Sequence, residues 1–155
     1  MTGAKPDTAA SQIELLSFRV AGQDYSADIM SVREIRSWTK ATPLPHSQPF
    51  VRGVINLRGT VLPVIDLAQR LGLPEVANSE RNVIIVVEIG KTPLGLLVEA
   101  VSDILSIDST EMTPPPEIKA DDGRKFIHAL TVIDERMFKV LDLSSILPET
   151  TKEAA

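Results

Sequence analysis

Two histidines, two aspartates in matching places and one charged hairpin tip are the side chains that invite a chemical reading of this 155-residue sequence. A catalytic site needs a nucleophile or acid–base group held in a cleft by partners. His46 lies in a proline-rich loop and His128 precedes an apolar strand, so a surface or packing role is the plainer reading of each. Without cysteines, two histidines also leave no metal site. Asp66 and Asp142 could act as paired carboxylates, yet each stands before a short leucine-containing turn, where N-capping accounts for it. Gly53, Gly59 and Gly72 lack a phosphate-cradling spacing, and Asp121-Asp122-Gly123 lacks the further acids of a calcium loop. A small-ligand or hydrolytic barrel would need Asp66, His46 and Arg58 together around a concave pocket. The pattern argues against an enzyme and implies no cofactor and no metal.

Arg58 is then the residue to explain. It sits in Val54-Ile55-Asn56-Leu57-Arg58-Gly59-Thr60-Val61-Leu62-Pro63-Val64-Ile65, two apolar runs joined by a tight turn. Gly59 supplies the positive φ of such a turn, so the stretch reads as an antiparallel hairpin with a cation at its tip. The second run is apolar on both faces, as in a strand buried in a small closed barrel. Pro63 has no N–H to donate and belongs at an edge or a bulge. Asp66 opens a short helix in which Leu67 and Leu71 share a face, and Gly72 closes it.

This block recurs. Residues 50–67 align without a gap onto 126–143, pairing Phe50 with Phe126, Val64 with Val140 and Asp66-Leu67 with Asp142-Leu143. Upstream, Gly22 and Gly90 each sit between two strand patterns, and Val32 to Ile35 answers Val101 to Ile104 as a short turn. Each copy reaches a proline cluster (Pro43 and Pro45; Pro114, Pro115 and Pro116) before its second hairpin. Leu16, Phe18 and Val20, then Tyr25, Ala27 and Ile29, alternate with polar residues around Gly22-Gln23-Asp24, giving a half-exposed hairpin. One helical turn is expected at 30–34, a strand at 35–41 and the strongest strand at 83–89. Ten strands, five per copy, predict an all-β fold of two tandem SH3-like five-stranded barrels packed together, with short helical turns. The expected boundaries are a flexible tail at 1–11, barrels at 12–78 and 79–147, and a second tail at 148–155, with a polar linker over 75–81.

Composition narrows the partners. The chain is 43% apolar and 24% charged, ordinary values for a globular domain, and no apolar stretch is long enough to insert in a membrane. The absence of cysteine fits a cytoplasmic protein. Residues 1–80 hold 8 basic and 8 acidic side chains, whereas 81–155 hold 8 and 13, so the second half carries the net −5. With few aromatic residues as well, the chain is a poor candidate for nucleic acid.

Val51-Arg52-Gly53-Val54-Ile55-Asn56-Leu57-Arg58-Gly59, followed by Val61-Leu62-Pro63-Val64-Ile65-Asp66-Leu67, closely resembles the signature of CheW-type chemotaxis coupling proteins. Tyr25-Ser26-Ala27-Asp28-Ile29, Val32-Arg33-Glu34-Ile35 and the run from Leu94 to Leu105 with its following prolines resemble the same family, and the likeness spans residues 14–147. The resemblance implies intertwined SH3-like barrels without catalysis. It implies an adaptor linking the cytoplasmic tips of chemoreceptors to the regulatory domain of the histidine kinase CheA, in a membrane-associated receptor array. An adaptor of a related array serving pili or another output is the neighbouring reading. Ile29, Val32, Glu34 and Arg58 match positions on or near the receptor-binding groove between the barrels; kinase contacts cannot be assigned. Two departures are local: Ala129 replaces a common glycine, and Glu99 a common aspartate. On this adaptor reading Ile29 and Val32 are expected partly exposed, near a groove; the two-pronged fit of a guanidinium to a carboxylate is expected to bring Arg58 to Glu34, shaping a surface more than holding the fold.

Overall fold

A computed structural model describes residues 12–74, 79, 81–115 and 126–147. Both expected tails, most of the linker, Pro116 and the stretch Asp121-Asp122-Gly123 lie outside the described residues. Among the described residues ten strands run in order: β1 (Gln12–Val20), β2 (Gln23–Asp28), β3 (Val32–Ser37), β4 (Val51–Leu57), β5 (Thr60–Asp66), β6 (Val83–Ile89), β7 (Thr92–Val98), β8 (Ala100–Asp108), β9 (Ile127–Ile133) and β10 (Arg136–Leu141). One α-helical turn, α1 (Leu67–Arg70), and 3-10 turns at Ile29–Ser31, Ser109–Glu111 and Leu143–Ser145 complete the described elements. The all-β expectation holds.

The strands form two five-stranded sheets, one ordered β8-β1-β2-β10-β9 (barrel A) and the other β3-β6-β7-β5-β4 (barrel B). The expected division at 78/79 therefore separates the sequence copies but not the barrels. Each copy gives its opening hairpin to one barrel and its last three strands to the other. Hairpins are local and readable in a sequence, whereas the strand that covers a hairpin's open edge is not. Here β2 takes β10 in parallel through Tyr25↔Lys139 and Ser26↔Val140, and β7 takes β5 through Val64↔Gly95 and Ile65↔Leu96.

The repeat is exact at the level of register. Val51 pairs Ile65 and Gly53 pairs Val64; in the second copy Ile127 pairs Leu141 and Ala129 pairs Val140, with the bulge at the same place. Val64 and Val140 are both buried. Asp66 and Asp142 cap their turns, accepting from the N–H of Gln69 and Ser144 at 3.1 Å each. Thr42 and Thr113 each bridge to the outer strand of their barrel, at Val54 and Leu130. Because Val54 spends its N–H and C=O on Thr42, both at 2.9 Å, Pro63 opposite it has no bond to miss. β5 pairs with β7 only from Val64 onward, so Pro63 also lies where β5 is still an edge.

Several local expectations are corrected. Val32 opens strand β3, and the helical turn lies just before it, where Asp28 accepts from the Met30 N–H at 2.9 Å. That strand ends at Ser37, short of the expected Ala41. Val101 to Leu105 is strand rather than turn, in the register that Val32 to Ile35 has on β6. The first hairpin is not half-exposed: Ser17 and Ser26 are buried. Ser17 Oγ fills a bulge, donating to the Asp103 carbonyl at 3.1 Å and accepting its N–H at 3.0 Å, so a polar position need not face water. Val61, expected buried, is 62% exposed at the start of β5. The strand is buried on both faces only from Val64 onward, where β7 joins it opposite β4.

The main core runs from Leu16, Phe18 and Val20 on β1 through the strands of barrel B, so the seam between barrels and one barrel interior are continuous. Arg70 stands on this seam. Its guanidinium lies 4.5 Å from the Phe50 ring and 5.1 Å from Phe126, the two equivalent phenylalanines. It donates to the carbonyls of Ser145, Ile146 and Leu147 at 2.9–3.2 Å, so the first copy's helix holds the second copy's last turn.

Candidate functional site

Asp28 caps the Ile29–Ser31 turn, and that turn delivers β3 to the edge of barrel B. Ile29 and Val32 are half-buried, the partial exposure expected of them, and they also pack on the main core, while Met30 between them is 77% exposed. On β3, Glu34 and Arg36 share a face, and Arg36 reaches the Glu34 carboxylate at 3.2 Å. The β4–β5 hairpin brings Arg58 to the same carboxylate, with its two terminal nitrogens at 2.9 and 3.5 Å from the two oxygens. The tip that carries it is a two-residue turn with positive φ at both Arg58 (50°) and Gly59 (87°), held by Asn56 Oδ1 accepting the Gly59 N–H. These guanidinium bonds, that of Arg58 foremost, hold the Glu34 carboxyl below its usual value of 4.5, against the opposing effect of burial.

Around this clasp lie exposed Met30, Ile35 and Val61 and a second ion pair, Arg33 to Glu88 at 2.8 Å. The Arg36 contact was readable from the two-residue period of a strand. Nothing local in the sequence signals Glu88, because it arrives on β6 from the other copy. A groove of about 440 Å³ between the barrels is lined by Asp28, Ser31, Glu88, Ile89, Met112, His128 and the end of β10. None of Ile29, Val32, Glu34 and Arg58 lines it; Ile29 stands on the turn between the lining residues Asp28 and Ser31, Val32 and Glu34 on β3, and Arg58 at the β4–β5 tip.

The small-ligand trio does not assemble. Asp66 and Arg58 stand at opposite ends of β5, about 20 Å apart at the usual strand rise. Asp66 is fully buried against Arg52, at 2.9 Å, a partner that the sequence reading left unassigned. His46 is exposed in its loop. The cavity nearest Arg52, about 320 Å³ between Trp38, Lys40 and core residues Val64, Ile84 and Leu97, includes none of the trio. Among the described residues no three acidic or histidine side chains converge as metal ligands, and no helix is long and apolar enough to cross a membrane.

The family model of the CheW-like domain matches residues 14–151. The chain belongs to the CheW-like domain family. It is 49% identical to the probable chemotaxis protein CheW of Rhizobium etli over 142 residues, covering 92% of each chain. It is 44% identical to the chemotaxis protein CheW of Rhizobium meliloti over the full length of both. Among solved structures it is similar to the scaffolding protein TtCheW of Thermoanaerobacter tengcongensis, with a TM-score of 0.78 and 33% identity, covering 84% of this chain and 88% of that one.

Proposed function

We propose that this CheW-family chain is a non-enzymatic adaptor that couples chemoreceptor tips to the histidine kinase CheA in a cytoplasmic signalling array. Family membership and the names of its relatives support a role in chemotaxis. The observation that carries the receptor half is the Arg58–Glu34 clasp, which anchors the hairpin tip to β3 beside half-buried Val32. An ion pair so exposed contributes little to folding; its use is to fix a surface of known shape. Ile29, Val32, Glu34 and Arg58 are the residues assigned to the receptor in this reading.

The test is co-sedimentation of the purified protein with receptor-bearing membranes and kinase from its own cell. Wild type should bring both into one pellet. Val32→Asp should lose receptor while melting only a few degrees lower, given a cost near 1 kcal/mol for a half-buried site. A wild-type protein that binds neither receptor nor kinase overturns the proposal, and a Val32→Asp protein that binds receptor normally removes Val32 from the site.

A further inference from the structure

The two barrels repeat one geometry, so equivalent side chains can be compared directly. In barrel B the gap between the outer strands β3 and β4 is clasped by Glu34 and Arg58. In barrel A the same gap lies between β8 and β9. Ile35 pairs Ile85 as Ile104 pairs Leu16, which places Asp103 where barrel B has Glu34. Leu57 pairs Thr60 as Ile133 pairs Arg136, which places Asp134 where barrel B has Arg58, with φ of 51° against 50°. Two acids stand where the other barrel has an acid and a base.

Like charges cannot clasp. Asp103 and Asp134 line one cleft with Ser17, Ser102, Phe138 and Arg136. The Arg136 guanidinium is held by Asp24 at 2.8 and 3.2 Å, and among the described residues neither Asp103 nor Asp134 has an ion pair. Beside the cleft runs a groove of about 390 Å³, lined by Ile104, Leu105, Val132 and Ile133 with Glu111 and Asp134. Ile104 and Val132 are 60% and 61% exposed, and Met137 near the tip is 52% exposed. Among the described residues no backbone pairing joins β8 to β9 along this groove, so two strand edges face into it.

We propose that the β8–β9 seam of barrel A docks an extended segment of a partner protein, which sets an arginine or lysine between Asp103 and Asp134 and an apolar side chain on Ile104 and Val132. The cation supplies the charge that Arg58 supplies within barrel B, and the open edges favour a strand-like partner. A second copy of this chain is the poorer occupant, because the matching face of barrel B commits Arg33, Arg36 and Arg58 to Glu88 and Glu34. This surface is distinct from the Arg58 face assigned to the receptor.

The probe is a short synthetic peptide alternating valine with arginine and lysine, compared with its counterpart bearing glutamate at the basic positions. Each is titrated into the isotope-labelled full chain and followed by amide shifts. The basic peptide should move amides of β8 and β9, more strongly at low salt, and the acidic peptide should not. Asp134→Arg rebuilds, with Asp103, the clasp of barrel B, and should close the seam and weaken binding roughly tenfold or more. Asp103→Asn keeps the shape, removes one charge and should weaken it in the same sense, so a misfolded Asp134→Arg would not leave the idea untested. Equal binding of both peptides, shifts located elsewhere, or unchanged affinity in Asp103→Asn would overturn the proposal. Self-association of the wild type that Asp103→Asn abolishes would also overturn it, giving the seam to a second copy.

Discussion

Arg58 grips the Glu34 carboxylate with both terminal nitrogens, at 2.9 and 3.5 Å, while Arg36 holds one of the same oxygens at 3.2 Å. Arg58 is 70% exposed, so the pair is a surface device. Arg58→Ala and Glu34→Ala should each melt close to wild type and lose receptor association in co-sedimentation. Arg58→Lys should not restore it, since an ammonium cannot make the two-pronged contact. A lysine variant that couples normally would show that charge alone matters at the tip.

Two carboxyls give the fold a defined acid sensitivity. Glu34 is held below its usual 4.5 chiefly by Arg58, and Asp24 below its usual 3.8 chiefly by Arg136, with burial opposing in both. Each folded-state value lies below the unfolded one, so the stabilisation is fully present above the ordinary carboxylate range. It is lost as the pH falls through the lowered values. Melting temperature should therefore fall a little below about pH 4.5, and the fall should be shallower in Arg136→Ala and only marginally so in Arg58→Ala, whose pair is the more exposed. An unchanged acid limb in both variants would remove these pairs as its cause.

Gly53 and Ala129 occupy equivalent places yet tolerate different side chains. Gly53 has φ of 144°, and a Cβ there would sit 2.2 Å from the Thr42 carbonyl oxygen, which is bonded to Val54. Gly53→Ala should cost about 3 kcal/mol or more, through strain and the displaced bridge. Ala129 is buried and is not among the residues with positive φ, so the special angle is absent at the second site. Ala129→Gly should cost only about 1–2 kcal/mol, for a lost methyl and a freer chain. Chemical denaturation of both variants checks the order, and equal losses would contradict it.

Arg70 joins the copies through two rings and three carbonyls, a set that lysine cannot reproduce. Arg70→Lys should lower stability by about 1–3 kcal/mol. The cation is the wrong shape to stack between Phe50 and Phe126, so the loss should appear in denaturation at neutral pH. A variant as stable as wild type would mean that the seam is held by the apolar core alone.

What the sequence by itself determined was whatever depends on neighbours along the chain. The two-residue turn at Arg58-Gly59, the caps at Asp66 and Asp142, and the register shared by residues 50–67 and 126–143 follow from local backbone preference and strand period. The meeting of Glu34 and Arg58 was legible because one hairpin tip carried an unexplained cation near an acid of fitting length. The tertiary structure decided which strand covers each open edge. Parallel pairing of β2 with β10 and of β5 with β7 crosses the copies and leaves no local mark, so the sequence boundary at 78/79 does not divide the barrels. It also buried Ser17 and Ser26, whose hydroxyls find carbonyl partners on strands more than eighty residues away in sequence. Contacts at that separation depend on how both barrels close, and alternation of polar and apolar residues cannot encode them.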